Sequence, residues 1–212
     1  MKLSYNKFAG RNVDRLAALS DGIFAVAMTL LVLDLRVPTV EAVHSEHDLW
    51  RALAALAPEL VTYLMSFLTL GIFWVGQRTQ LNDLARADRD LSWIHIAFLF
   101  VVTLTPFSTS LLARFIDFRL ALLAYWVNIL LLGVILYLSW GYALRARLVR
   151  DDLPIEVPAA VCRRIKIAQA LYALGAALCV ISPSWSIAFI VLVQLNYAVA
   201  PRVRPIFRFF RR

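Results

Sequence analysis

Six long apolar segments constrain this chain more than any other feature of its sequence. They cover about residues 16–35, 56–75, 91–113, 120–144, 165–181 and 184–200. Each is close to the ~17–25 residues that a helix needs to cross ~30 Å of hydrocarbon. Hydrophobic residues make up 61% of the chain and charged residues 17%, whereas a soluble domain has roughly 45–50% and about 25%. We therefore predict one all-α domain, residues 1–212, that forms a polytopic membrane protein with six transmembrane helices.

The basic residues collect in alternate segments between these spans. The N-terminal segment holds four Lys and Arg, the second–third loop three, the fourth–fifth loop six and the C-terminal tail five, which puts 18 of the 22 on one side. The other side keeps Arg36, Arg51, Arg114 and Arg119. Because Lys and Arg concentrate in cytoplasmic loops, we expect both termini in the cytoplasm and the chain in the plasma membrane. The same segments predict contact with anionic lipid rather than nucleic acid.

Residues that could support catalysis or hold a metal are few. The sequence has no HExxH, GxSxG, P-loop or CxxC motif, so the recognisable enzyme signatures are missing. His44 and His47, next to Glu46 and Asp48 in the outer loop, have a spacing that suits two ligands on one helix face, and a metal there stays an alternative to ordinary solvated side chains. His95, at the start of the third span, is expected to be a hydrogen-bonding residue. We predict no enzyme, no metal site and no cofactor.

The first apolar segment contains a carboxylate near its start. In "ALSDGIFAVAMTLLVLDL", residues 18–35, Asp21 lies within an apolar run. Carboxylates inside a membrane are costly and mark ion pathways, relays or structural locks. Two readings stay open: Asp21 and Ser20 fasten the cytoplasmic end of the first span to its neighbours, or Asp21 contacts transported ions directly.

One face of the same segment is a candidate functional surface. Gly22, Val26, Thr29 or Leu30, and Leu33 follow the spacing of a single helical stripe. The stripe is apolar apart from Thr29. Periodicity alone does not decide whether such a stripe faces lipid or a protein core.

The stretch "RLAALSDGIFAVAMTLLVLDLRVP", residues 15–38, resembles the signature of the prokaryotic branch of the transmembrane protein 175 potassium channel family. The mark of that family is an arginine, three residues and then Phe-Ser-Asp at the start of the first span. Here Arg15 precedes Leu19, Ser20 and Asp21, so leucine replaces the aromatic residue.

Two further spans resemble the same family. "PELVTYLMSFLTLGIFWVGQRTQL" (58–81) is similar to its second span and "FLFVVTLTPFSTSLL" (98–112) to its third. The family usually has a histidine just after the tryptophan of the second span, but "VGQR" follows Trp74 here. A histidine partner from that position for the Ser-Asp motif is therefore missing.

The resemblance implies a homotetramer whose first helices line a central pore for potassium, with other monovalent cations as further candidate permeant ions. The pore has no TVGYG carbonyl filter, and the chain has no such sequence. By carry-over from the motif, the narrowest apolar ring falls on Val26, further apolar layers fall on Leu30 and Leu33, and a hydroxyl ring falls on Thr29. A narrow apolar ring gates by dewetting, and hydroxyl oxygens replace part of an ion's lost hydration.

The ends of the first span receive supporting roles in this interpretation. Arg15, Leu19, Ser20 and Asp21 form the signature motif and brace the helix. Asp34 raises the local cation concentration at the outer mouth, or else it is an ordinary interfacial carboxylate that balances Arg36.

Two other classes of protein remain as alternatives. A secondary or proton-coupled transporter would use Asp21 as its titrating relay, although the first span has no internal proline and the chain no clear inverted repeat. A structural or assembly protein would use its basic aromatic tail, "RPIFRFFRR" (204–212), to bind anionic lipid.

Overall fold

The computed structural model describes residues 13–39, 41 and 43–199, so the start of the chain and the basic tail lie outside the described residues. The described part is helical, as predicted, with an isolated bridge between two loops. Its helices are α1 (Val13–Leu30, continued by a 3₁₀ turn Leu31–Asp34), α2 (Glu46–Ala55), α3 (Ala57–Asn82), α4 (Arg89–Arg114), α5 (Arg119–Arg145), α6 (Val157–Ala177, continued by a 3₁₀ turn Leu178–Val180) and α7 (Pro183–Val199).

Four helical segments in the described residues are long and apolar enough to cross a membrane. They are Val13–Asp34, Ala57–Asn82, Arg89–Arg114 and Arg119–Arg145, and each covers one of the first four predicted spans. Helices α6 and α7 form where the last two spans are predicted but are not among these four. For α6 and α7, membrane crossing stays a prediction.

Two helices extend beyond the predicted spans, each for a physical reason. Helix α3 continues to Asn82 rather than ending near residue 75, because Gln77 and Gln80 are 3% and 5% exposed and face other helices of the bundle. Helix α6 begins at Val157 rather than near residue 165, with Pro158 in its first turn, where a missing N–H costs little. Several basic residues predicted in loops are therefore helical.

The loop between the first two predicted spans, called the outer loop, contains helix α2. Ser45 caps α2: its hydroxyl oxygen accepts a hydrogen bond from the Asp48 backbone N–H at 3.2 Å. Helix α2 has no buried residue, and Trp50 is 72% exposed.

Helix α1 lies against α3 and α4 and has two contrasting faces. Ser20, Phe24 and Ala27 are buried, and Leu31 continues the same face into the 3₁₀ turn. The spacing of four, three and four residues is that of one helical stripe. The Phe24 ring centroid lies 6.1 Å from that of Phe98 on α4, so aromatic packing seats the middle of the helix.

Two loops meet at one end of the bundle, which we call the loop-paired end. The backbone N–H of Ala85, after α3, donates to the Leu148 carbonyl at 2.9 Å, and that of Arg150 donates to the Asp83 carbonyl at 3.0 Å. Burial raises the pKa of the Asp83 carboxyl, which outweighs the opposing effect of Arg150. The second–third and fourth–fifth loops thus share an end, as the charge pattern predicts.

A buried polar network joins α3, α4, α5 and α7. The Tyr125 hydroxyl lies 3.0 Å from Thr69 Oγ1 and accepts from Ser66 Oγ at 3.3 Å. Thr109 Oγ1 donates to Ser66 Oγ at 2.6 Å, and Gln194 Nε2 donates to Thr69 Oγ1 at 2.7 Å. All five side chains are at most 3% exposed. Because unpaired polar groups in an apolar interior are costly, this network fixes how the four helices pack.

Replacement of Tyr125 by phenylalanine tests this network. Tyr125→Phe removes the hydroxyl that Ser66 and Thr69 contact, so we expect a loss of about 1 kcal/mol in the free energy of unfolding. The measurement is thermal unfolding of the purified protein in detergent. Tyr137→Phe on the same helix is the matched control, since Tyr137 is only half-buried, and equal destabilisation by both variants would contradict the prediction.

Candidate functional site

The signature serine is buried where α1 meets α3 and α4. Ser20 is 2% exposed, and its Oγ lies 2.6 Å from His95 Nε2. Gln77 Nε2 donates to the same oxygen at 3.0 Å, and Ser20 Oγ donates to the Leu16 carbonyl at 2.9 Å. A hydroxyl donates one hydrogen bond and accepts two. Ser20 therefore uses its full capacity when His95 carries its proton on Nε2.

This cluster explains how the motif is satisfied without the expected histidine after Trp74. Gln77 stands three positions after Trp74 and supplies an amide, while His95 supplies an imidazole from α4. His95 is 3% exposed, as expected for a hydrogen-bonding residue. Sequence reasoning missed Gln77, although a glutamine at the end of an apolar run was the available signal.

Asp21 bonds to a tryptophan of α3. The Trp74 indole Nε1 donates to Asp21 Oδ1 at 2.7 Å, whereas Ser20 bonds to His95 and Gln77. The Arg78 guanidinium lies 5.2 Å from the Trp74 ring centroid, close enough for a cation–π contact. Arg15 lies six residues before Asp21 on α1, and both side chains are exposed.

The candidate pore residues lie on the face of α1 opposite the Ser20 cluster. Val26 is 55%, Leu30 43% and Leu33 72% exposed, and Thr29 is also exposed. Leu19, in the signature triplet, is 46% exposed. The stripe therefore lies outside the core of the chain. Of the two readings that periodicity left open, burial in this core is excluded.

Thr29 is the polar member of this exposed stripe. Its hydroxyl donates to carbonyls of its own helix, 3.0 Å to Ala25 O and 2.9 Å to Val26 O. Since the proton is directed to the backbone, the oxygen lone pairs are left toward the open side. A hydroxyl in this state can accept from a donor or contact a cation.

Asp34 ends the 3₁₀ turn at the far end of α1. Ser110 Oγ on α4 donates to Asp34 Oδ1 at 3.1 Å. Asp34 and Arg36 line the same cavity, together with Glu59 and Arg114, but no ion pair joins Asp34 to Arg36. Asp34 is therefore held by a neighbouring helix rather than by the arginine beside it.

The two outer-loop histidines remain apart from this site. His44 precedes α2 and His47 lies in its first turn, and both are exposed. Within residues 13–39, 41 and 43–199, no group of three or more His, Cys, Asp or Glu side chains is placed to hold a metal ion.

Comparison with known proteins identifies relatives of this chain. A family model described as "Endosomal/lysosomal potassium channel TMEM175" matches residues 15–106. Potassium channel B446_29190 of Streptomyces collinus is 33% identical over 158 residues, which cover 73% of this chain and 75% of the relative. The crystal structure of a lysosomal potassium-selective channel TMEM175 homolog from Chamaesiphon minutus matches with a TM-score of 0.78 and 27% identity, over 90% of this chain and 98% of that one.

A more distant human relative carries a different functional name. The human endosomal/lysosomal proton channel TMEM175 is 25% identical over 183 residues, which are 85% of this chain but 35% of the human protein. The names of these relatives are those of ion channels and not of enzymes.

Removal of the Ser20 hydroxyl tests the cluster that seats α1. In Ser20→Ala, buried His95 and Gln77 each lose a partner, so we expect about 1–3 kcal/mol of destabilisation in thermal unfolding of the detergent-solubilised protein. Ser92→Ala on α4 is the control, because the Ser92 hydroxyl donates only to the Asp88 carbonyl of its own helix start. The prediction fails if the two variants unfold at the same temperature.

Proposed function

Because the chain belongs to the TMEM175 family, we propose that it is a potassium-permeable cation channel that conducts passively and catalyses no reaction. The observation that carries the proposal is the exposed stripe on α1, with Val26, Thr29, Leu30 and Leu33 turned away from the subunit core. Relatives named as potassium channels share most of the chain with it.

The pore is proposed to form between four copies of the chain. An exposed stripe on one subunit encloses nothing by itself, but rotation about a closed symmetry axis brings identical stripes face to face. Val26 then forms the narrowest ring and Leu30 and Leu33 form further apolar layers, which gate by dewetting. No TVGYG filter takes part, since the chain has no such sequence.

Thr29 is proposed as the hydroxyl ring next to this constriction. Its proton is engaged by the Ala25 and Val26 carbonyls, so its oxygen can replace one water of a passing cation. Four such oxygens at one level compensate part of the dehydration that the apolar rings impose.

The signature motif is proposed to fix the rotation of α1 about its own axis. Ser20 bonds to α3 and α4 on the buried side, and the neighbouring Asp21 bonds to Trp74 of α3 on the exposed side. Successive residues of a helix are about 100° apart, so two such contacts resist turning in either direction. Together with Arg15 and Leu19, Ser20 and Asp21 hold α1 so that its exposed stripe faces the axis of the proposed pore.

The same proposal includes a membrane topology for the chain. All six long helices span the plasma membrane, including α6 and α7, with both termini cytoplasmic and the basic segments against anionic lipid. Asp34, held by Ser110, lies at the outer mouth, where its charge attracts cations.

Flux through reconstituted protein tests the channel directly. We expect potassium efflux from liposomes that contain the full-length protein, with a current linear in voltage near equilibrium. Protein-free vesicles of the same lipid are the control. No potassium conductance above these vesicles would refute the proposal, and the reversal potential in asymmetric potassium and sodium reports selectivity.

Substitution of Val26 tests the constriction. Val26→Ala widens the proposed ring and Val26→Asn wets it, so we expect a larger resting leak and a smaller potassium preference from both, measured by single-channel recording. Val134→Ala is the matched control, because Val134 is 43% exposed on α5, outside the proposed pore. Unchanged current and selectivity in both Val26 variants would remove this residue from the gate.

A proton-coupled carrier is the second candidate function, since Asp21 is an exposed carboxylate within a spanning helix. Asp21→Asn separates the two mechanisms, because the amide oxygen still accepts from Trp74 while the side chain no longer has a carboxylate that could bind a proton. A channel braced by Asp21 keeps its potassium current in this variant, whereas a carrier loses coupled flux. Asp21→Ala, which removes both functions of the side chain, is the control for loss of the brace.

A further inference from the structure

A cleft between α3 and α6 has no role in the proposed pore. Its cavity volume is about 80 Å³. Its wall is formed mainly by apolar side chains of α3 and α6, with Leu136 of α5 and Tyr197 of α7 closing it; the apolar lining residues are Ile72, Phe73, Gly76, Val161, Ile165 and Ala168. The cleft lies toward the loop-paired end, because it is lined by the last turns of α3 and the first turns of α6.

The mouth of this cleft is polar and basic. Arg164 lines it from α6 and is exposed, and Thr79 lines it from α3. The Arg164 guanidinium interacts electrostatically with the Tyr197 side chain. A cation with two hydroxyl-bearing neighbours at the rim of an apolar cleft matches a molecule with an anionic head and a hydrocarbon tail.

We propose that this cleft binds an anionic phospholipid, with an acyl chain between α3 and α6 and the phosphate on Arg164. Charge argues against the chain's own tail as the occupant, since residues 202–212 contain five arginines and would face Arg164. A polar soluble ligand is disfavoured because the wall is mainly apolar. The proposal concerns binding at a surface remote from α1 and holds whether or not the protein conducts.

Native mass spectrometry of the full-length protein in a non-ionic detergent tests it, with palmitoyl-oleoyl phosphatidylglycerol and the matching phosphatidylcholine as probes. We expect retention of phosphatidylglycerol over phosphatidylcholine by about fivefold, the factor typical of one basic side chain at a lipid headgroup. Arg164→Gln abolishes this preference, whereas Arg163→Gln, which removes a neighbouring exposed arginine outside the cleft, preserves it. Ala168→Phe fills the cleft and lowers the binding of both lipids, and Ala168→Leu gives the same test if the larger residue prevents folding.

Several results would overturn the proposal. Equal loss of preference in Arg163→Gln and Arg164→Gln would assign the effect to general attraction by the basic end. Unchanged lipid binding in both folded Ala168 variants would exclude the cleft as the acyl site. A change in subunit number with Ala168→Phe, at constant lipid binding per subunit, would make this face an interface between copies instead.

Discussion

The hydrogen bonds of Ser20 with His95 and Gln77 are the contact on which the rest of the arrangement depends. They join three helices at one buried point. In an apolar interior, polar groups that lose their partner cannot recover it from solvent. This contact therefore fixes one rotation of α1 about its axis. Apolar packing alone would tolerate many, because Phe24, Ala27 and Leu31 would pack acceptably over a range of rotations.

A consequence of that position is that one side of α1 lies outside the core of the chain. The buried side of α1 is used fully within the chain, while the side with Val26 and Leu33 is left outside it. In a membrane such a stripe tolerates lipid, so exposure alone does not demand a partner. The family membership suggests a function for this stripe, and the geometry is consistent with it, since buried Ser20 and the exposed stripe lie on opposite sides of one helix.

Much of the helical framework was predictable from the sequence, because apolar runs of this length have few alternatives. Long apolar helices at the first four predicted spans are confirmed, whereas the crossing of a membrane by α6 and α7 stays a prediction. The end of α3 was not predictable from hydropathy. Polar residues such as Gln77 and Gln80 suggest the boundary between membrane and water, and only the fold shows that they are buried against other helices. The partner of Asp21 was missed for a related reason: a tryptophan in an apolar run reads as packing, and only the fold reveals that its N–H points at a carboxylate. Side-chain pairing between distant spans is tertiary information that local pattern does not contain.

The hydroxyl of Thr29 has a consequence for the sign of the permeant ion. Because its hydrogen is committed to the Ala25 and Val26 carbonyls, the end of the O–H dipole turned away from the backbone is the negative one. In the proposed ring, four copies would present only oxygen to the axis, and an anion would find no donor there. Discrimination between cations and anions would then come from the direction of a bond, in a stretch of the lining that carries no net charge.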